Sequence, residues 1–283
     1  MIQSRFLMCP PNHFGVEYVI NPWMEGQIAA TNSSRATEQW SRLHSILSRY
    51  AKVRSMSPVK GLPDLVFTAN AAVVYGEVAV VSSFRYPERQ PESQHYAEWL
   101  ESDGFSVKTL PRDVLFEGAG DALFDRARPL LWFGYGLRSA DSASTHLEKH
   151  IGLEVQLLEL CDARFYHLDT CFCPLERGFL LYFPDAFTPR SNAVIERRIR
   201  AEQRFAVPEN DALHFACNAV NIGSKVILNE ASPGTVAWLE GNKFEVIKTP
   251  MSEFMRSGGA AKCLSLRLDE SHPITLGRDS YTL

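Results

Sequence analysis

The chain reads as an α/β protein built from five strand-pair-plus-helix (ββαβ) modules closed into a propeller-like ring. Three observations carry that expectation. Short runs rich in Val, Leu and Phe alternate with stretches of helical apolar spacing. A compact polar residue recurs where an apolar run begins, at Asn70, Asp121, Asp169, Asn218 and Cys263, with spacings of 51, 48, 49 and 45 residues. A period of about 50 residues falls where stacked or radial repeats are found, which would bring the repeated polar positions onto one axis. No charge run or low-complexity segment divides the chain. Residues 1–270 are therefore expected to form a single domain, and 271–283, which lack periodicity, a tail or the start of a linker.

Each element has its own signal. Ser34 can cap a helix in which Ala36, Trp40, Leu43, Leu47 and Tyr50 recur at helical spacing. The runs 71–75 and 78–81 are strand candidates parted by Gly76 and Glu77. A second helix spans 92–102, with Tyr96, Trp99 and Leu100 inward and Asp103-Gly104 as its stop. A third runs over 142–151 and ends at Gly152, and a fourth covers 192–202. A fifth opens at Ser232-Pro233 and ends before Gly241.

Composition narrows the function classes. The 283 residues are 45% hydrophobic and 22% charged, too apolar for disorder and long enough to bury a core. With 29 basic against 33 acidic residues there is no cationic excess, which argues against nucleic-acid binding. No run approaches the roughly 20 apolar residues of a membrane span. The first residues, soon broken by Pro10 and Pro11, do not read as a signal peptide. Six cysteines without an export signal are expected to be reduced thiols of a cytoplasmic protein.

Several residues could carry chemistry. Cys263 follows Gly258-Gly259-Ala260-Ala261, glycines that let backbone approach a ligand; alone it reads as a nucleophile or as a small buried apolar residue. His167 and Asp169, placed on a strand, would share a face and could address a cation, with His167 as general acid and base; a core histidine beside a solvated aspartate is the alternative. Glu117-Gly-Ala-Gly-Asp121 offers two acids around glycines and no lysine, which suits a cation better than a phosphate, although such segments are common turns. His167, Cys171, Cys173, His214 and Cys217 lack the usual zinc-knuckle spacing, and no metal is expected. Ser265 has no nucleophile-elbow context.

At these residues the sequence resembles the guanidine-modifying (amidinotransferase-like, or pentein) superfamily, and within it bacterial arginine dihydrolases. The resemblance is carried by Phe6-Leu-Met-Cys-Pro-Pro, Tyr18-Val-Ile-Asn21-Pro-Trp-Met24, Pro63-Asp-Leu-Val-Phe-Thr-Ala-Asn70, Phe116-Glu-Gly-Ala-Gly-Asp121, Phe165-Tyr-His167-Leu-Asp169-Thr-Cys-Phe-Cys-Pro174, Phe215-Ala-Cys-Asn-Ala-Val-Asn221 and Gly258-Gly-Ala-Ala-Lys-Cys263. It runs in order over 5–268 and implies a five-bladed α/β propeller.

The resemblance implies attack by Cys263 on the guanidinium carbon of L-arginine, with His167 protonating the departing ammonia and then activating water. Asp169, Glu117 and Asp121 would grip the guanidinium through paired hydrogen bonds. Arg89 and Arg138 match positions that hold the α-carboxylate, and either could instead be a surface charge. Asn70 stands where many deiminases and dimethylargininases carry an acid; its amide could keep a citrulline-like product bound for a second attack, with Asn21 helping to retain it. The expected products are L-ornithine, two ammonia and carbon dioxide, with no cofactor. The rivals are a deiminase that stops at citrulline, an amidinotransferase, and a non-catalytic arginine-binding protein like the ribosome anti-association factor of the same fold. The resemblance also implies a homo-oligomer and, in longer chains, a following ornithine-processing domain.

Overall fold

A computed structural model describes residues 4–270; the tail expected at 271–283 lies outside the described residues. Its strands and longer helices follow one plan. Strand β1 (Arg5–Met8), helix α1 (Ser33–Tyr50) and strand β2 (Lys52–Ser55) open the chain. The first complete module is β3 (Ala72–Tyr75), β4 (Val78–Val81), α2 (Glu92–Ser102) and β5 (Ser106–Lys108). The next is β6 (Ala122–Phe124), β7 (Leu130–Tyr135), α3 (Ala143–Ile151) and β8 (Glu154–Glu159). Then come β9 (Phe172–Leu175), β10 (Phe179–Tyr182), α4 (Pro189–Arg198) and β11 (Arg204–Ala206), followed by a short helix α5 (Glu209–Leu213). The last complete module is β12 (Val220–Ile222), β13 (Lys225–Leu228), α6 (Pro233–Gly241) and β14 (Glu245–Lys248). Helix α7 (Ser252–Met255) and strand β15 (Leu266–Arg267) end the described chain.

Within each complete module the first two strands form an antiparallel hairpin, and the helix crosses over to a third strand parallel to the second. The fifth sheet has the same pattern in permuted order: β15 pairs antiparallel with β1, and β1 pairs parallel with β2. The two ends of the described chain therefore complete one sheet, making five three-stranded sheets in all. Buried Leu, Val and Phe side chains of facing sheets and helices fill the spaces between modules.

The recurring polar residues occupy one place in every module, immediately before the first strand of each sheet. All five are buried. Three lie in or beside tight 3₁₀ turns, over Thr68–Asn70, Gly118–Gly120 and Leu168–Thr170. The turns are linked to one another. The N–H of Leu168 donates to Asp121 Oδ1 (3.0 Å), Asn218 Nδ2 donates to the carbonyl of Asp169 (3.0 Å), Cys263 N–H donates to Asn218 Oδ1 (3.2 Å), and Ala69 N–H donates to the carbonyl of Cys263 (3.0 Å).

The helices depart from their sequence patterns at the ends. Asn32, not Ser34, caps α1, its side chain accepting from Arg35 N–H, because only Asn32 has the extended backbone a cap needs. Trp40 and Tyr50 are half-buried rather than inward, as is Trp99 in α2: a narrow stripe of Ala36, Leu43 and Leu47, or of Tyr96 and Leu100, is enough to seat each helix. Helix α4 starts three residues early, capped by Thr188 with Pro189 at its first position, and ends at Arg198. The stretch 201–203 is a separate 3₁₀ turn leading into β11. The boundaries of α2 agree with the sequence reading, and α6 opens where expected but takes in Gly241 as its last residue. Among the described residues, no helix is long and apolar enough to cross a membrane.

Packing of α1 ranks two substitutions. Leu43→Ala is expected to cost about 2–5 kcal/mol by leaving a cavity, and Asn32→Ala about 1 kcal/mol by removing the cap. Urea unfolding of both variants measures the order, which would reverse if the helix were held mainly by its end.

Candidate active site

The site is assembled where the polar turns meet. Cys263 is buried at the end of the Gly258–Lys262 turn, and Asn218 holds it there. The Asn218 carbonyl oxygen accepts from Ala260 N–H (3.1 Å) and Cys263 N–H, while its Nδ2 donates to Cys263 Sγ (3.1 Å) as well as to the Asp169 carbonyl. Both ends of the amide are saturated, so its orientation is fixed. Gly258 sits at φ +83°, and a Cβ there would be 2.7 Å from the Tyr166 hydroxyl, so the turn requires glycine.

Asp169 approaches the sulfur directly, its carboxylate oxygens 3.5 and 3.6 Å from Sγ. Burial, and then the Asp169 carboxylate, push the Cys263 thiol well above its ordinary pKa. Burial likewise raises Asp169 to about 6, against the pull of Lys262. The resting sulfur is a thiol donating to Asp169, and a cation bound between the two is what would ionise it.

His167 does not lie on a strand. It is the extended residue before the Leu168–Thr170 turn, and β9 starts only at Phe172, so alternation along a strand is not what places it. Its Nε2 is 2.6 Å from Glu117 Oε2, which also accepts from Arg138 Nη1 at 3.0 Å. Burial works to raise Glu117, but Arg138 and His167 outweigh it and hold the carboxylate below its usual range. Burial lowers His167 to about 4, leaving it neutral near pH 7, with Nε2–H donated to Glu117 and Nδ1 open. Gly120 lets Asn70 and His167 meet: a Cβ there would be 2.3 Å from Asn70 Nδ2 and 3.4 Å from His167 Nδ1.

Beside Cys263 lies a pocket lined by Asn21, Asp64, Asn70, Arg89, Arg138 and Tyr166, among others. Water-sized space in it amounts to about 10 Å³, room for about one water. The Ile20–Met24 segment covers it, tied down by Arg138 Nη2 to the Ile20 carbonyl (3.0 Å) and Trp23 Nε1 to the Arg164 carbonyl (2.7 Å). Three polar atoms of the lining, Asp64 Oδ1, Asn70 Nδ2 and Ser257 Oγ, are buried without a hydrogen-bond partner among the described residues. Native interiors rarely leave such atoms unpaired, so the pocket is shaped for a polar guest.

The residues singled out in the sequence separate into two groups. Asn21, Asn70, Arg89, Arg138 and Cys263 line the pocket. Glu117, His167 and Asp169 stand around it as the buried network described above. Asp121 is spent on the protein itself: one oxygen accepts from Ser139 Oγ (2.6 Å) and the other from Leu168 N–H. Asn21 is also engaged, its oxygen accepting from Trp23 N–H and its Nδ2 donating to the Ser257 carbonyl. Arg89 makes four hydrogen bonds, to both oxygens of Glu92, to Asn70 Oδ1 and to the Asp64 carbonyl. Asp64 and Asn218 escaped the sequence reading as site residues. Asp64 opens the first polar repeat, yet nothing local shows that its carboxylate turns inward. No three His, Cys, Asp or Glu side chains converge as a metal-ligand group among the described residues.

Comparison with known proteins places this geometry. Residues 21–268 match the family described as N,N dimethylarginine dimethylhydrolase, eukaryotic. The chain belongs to that family. The N(G),N(G)-dimethylarginine dimethylaminohydrolase of Mycobacterium tuberculosis is 38% identical over 95% of the chain and 86% of the relative. The bifunctional arginine dihydrolase/ornithine cyclodeaminase AgrE of Nostoc sp. is 53% identical over 94% of the chain but only 38% of its own length. The chain thus spans about two fifths of that longer relative. A solved structure of the N-terminal domain of ArgZ, a cyanobacterial arginine dihydrolase, bound to substrate, is 51% identical and superposes with a TM-score of 0.94 over 95% of the chain and 99% of the domain.

The protonation state of the sulfur has a direct consequence. At pH 7 iodoacetamide is expected to label the exposed Cys161 before Cys263, since a buried neutral thiol is a poor nucleophile. Peptide mapping of the first alkylated residue checks the order. Preferential labelling of Cys263 in the free protein would mean a resting thiolate.

Proposed function

We propose that this family member is an arginine dihydrolase, a hydrolase of guanidino C–N bonds converting L-arginine and two waters into L-ornithine, two ammonia and carbon dioxide. One observation carries the choice over a deiminase. Arg89 Nη1 donates to Asn70 Oδ1 (2.9 Å), and because arginine has only donors this fixes the amide with Nδ2 turned away from Arg89, beside Gly120 and the His167 ring, buried and without a partner among the described residues. That free N–H has nothing to bind on a guanidinium, which is all donors. It has a partner once an oxygen replaces the first departed nitrogen. Asn70 therefore favours the ureido intermediate over the substrate and retains it for a second round.

Asp64 Oδ1 and Asp169 grip the guanidinium, whose charge stabilises the Cys263 thiolate, and the thiol proton passes to Nδ1 of His167. The sulfur adds to the central carbon, and His167 delivers a proton to the departing ammonia. Water, deprotonated by His167, displaces the sulfur and leaves a ureido carbonyl. A second attack by Cys263 expels the second ammonia and leaves a thiocarbamate. Its hydrolysis gives a carbamic acid, which loses carbon dioxide to leave ornithine. Glu117 positions His167 and Arg138, and Asp121 braces the His167 turn rather than touching substrate. Arg138, with donors still open and its guanidinium 4.4 Å over the Tyr166 ring centroid, is assigned to the α-carboxylate. Arg89 is assigned to orienting Asn70, and Asn21 to holding the covering segment and the Cys263 turn.

We also read the five sheets as blades of one closed propeller. The chain's two ends share a sheet, and the polar turns are linked in sequence back to the first, which supports closure. Residues 4–270 are taken as one catalytic domain. A following ornithine-processing domain, homo-oligomerisation and a cytoplasmic setting belong to the same proposal.

Two outcomes are expected. Ammonia release should reach two moles per mole of arginine consumed, and Asn70→Asp should release citrulline at the expense of ornithine; unaltered ornithine release by that variant would overturn the role of Asn70. The log of kcat/KM should fall as pH drops through about 6, because protonating Asp169 in the free enzyme removes an anion that pairs with the guanidinium. A pH–rate profile that is flat through this range would exclude Asp169 from substrate binding.

A further inference from the structure

Cys263 has a second cavity behind it, and nothing in the reaction as described so far uses it. Its walls include Val74, Ala119, Leu123, Phe172, Asp169 and Lys262. It offers about 40 Å³ to water-sized molecules, room for a few waters, whereas the pocket in front of the sulfur offers about a quarter of that. Asp169 connects the two spaces: its carboxylate, 3.5 Å from the Sγ that lines the front pocket, is also part of the rear wall. Ala119 and Lys262 are only half-buried although the residues on either side of each are buried, and both face this cavity. At its outer end stand Arg126, Glu270 and Arg267, all partly exposed. Arg126 grips Glu270 through both of its oxygens, and Arg267 Nε is 4.0 Å from Glu270.

We propose that this rear cavity is a conduit for small neutral molecules, bringing water to Cys263 and letting ammonia leave while the front pocket stays closed over the amino-acid chain. The inference rests on the dihydrolase reading, which sets the traffic: two waters in and two ammonia out around an intermediate that must not escape. A front entrance filled by the substrate and covered by Ile20–Met24 is a poor route for that exchange. The lining is mostly apolar, and its charges are three cations, Arg126, Lys262 and Arg267, against Asp169 and Glu270. Such a field disfavours ammonium and leaves neutral water and ammonia free to pass. Displacement of the Asp169 side chain, once the guanidinium it grips has become a neutral ureido group, joins the two spaces.

The test narrows the conduit without touching the front pocket. Ala119→Leu fills its inner end and Leu123→Phe narrows its far wall. Either should lower kcat for ammonia release by about tenfold, leave KM for arginine near the wild-type value, and raise the fraction of protein carrying a Cys263 adduct in acid-quenched intact-mass spectra. A merely structural role would lower kcat together with the melting temperature and build up no adduct. Should Ala119→Leu not fold, Leu123→Phe carries the same test. Wild-type kcat and adduct level in a folded variant of either kind would overturn the conduit. Wild-type enzyme releasing one ammonia and citrulline would instead overturn the dihydrolase reading, while the ratio of variant to wild-type turnover still reports on the cavity.

Discussion

The Asn218 amide is the contact on which the rest of the centre depends. One side chain receives two N–H groups from the Cys263 turn and gives its own two hydrogens to the sulfur and to the Asp169 carbonyl. It thereby joins three modules at the point where their polar turns meet. A buried amide leaves no slack, because any rotation would abandon several hydrogen bonds at once. The sulfur is held within reach of Asp169 by that saturation, not by a property of the cysteine's own segment.

Around that fixed point the charges are arranged in two stages. Glu117 is kept ionised by Arg138 and His167, and so behaves as a permanent part of the scaffold. Asp169 and Cys263 share a proton and are both pushed toward neutrality by burial. The scaffold charges fix the histidine, whereas the second pair waits for a positive ligand to change its protonation. A buried neutral thiol of this kind is a poor nucleophile toward bulk electrophiles.

Much of the architecture is legible in the sequence because it depends on local chemistry. Ser232-Pro233 and Gly152 mark helix ends through their backbone preferences alone, and the polar recurrence before apolar runs exposes five modules. Errors fall where distance in the chain decides. His167 and Asp169 look like neighbours on a strand, yet His167 stands just before a 3₁₀ turn and Asp169 within it, so that one meets Glu117 and the other Cys263. Asp121 looks like a ligand-binding acid, but Ser139 and Leu168 N–H claim its oxygens. Asp64 carries an unpaired oxygen in the pocket, a fact created by Tyr18 taking only its other oxygen.

Taken alone, the order of residues determines the modules, their repeat length and the chemical types gathered at each turn, since these follow from short-range sterics and the burial of apolar faces. Which of those groups keep a free valence is decided only when the modules come together. Hydrogen bonds between residues 18 to 49 positions apart saturate Asn218 and Asp121 and tie Arg89 to Asn70 and Asp64, and leave Asp64 Oδ1 and Asn70 Nδ2 open. A side chain's partners are a property of the packed centre, and no stretch of chain carries that information by itself.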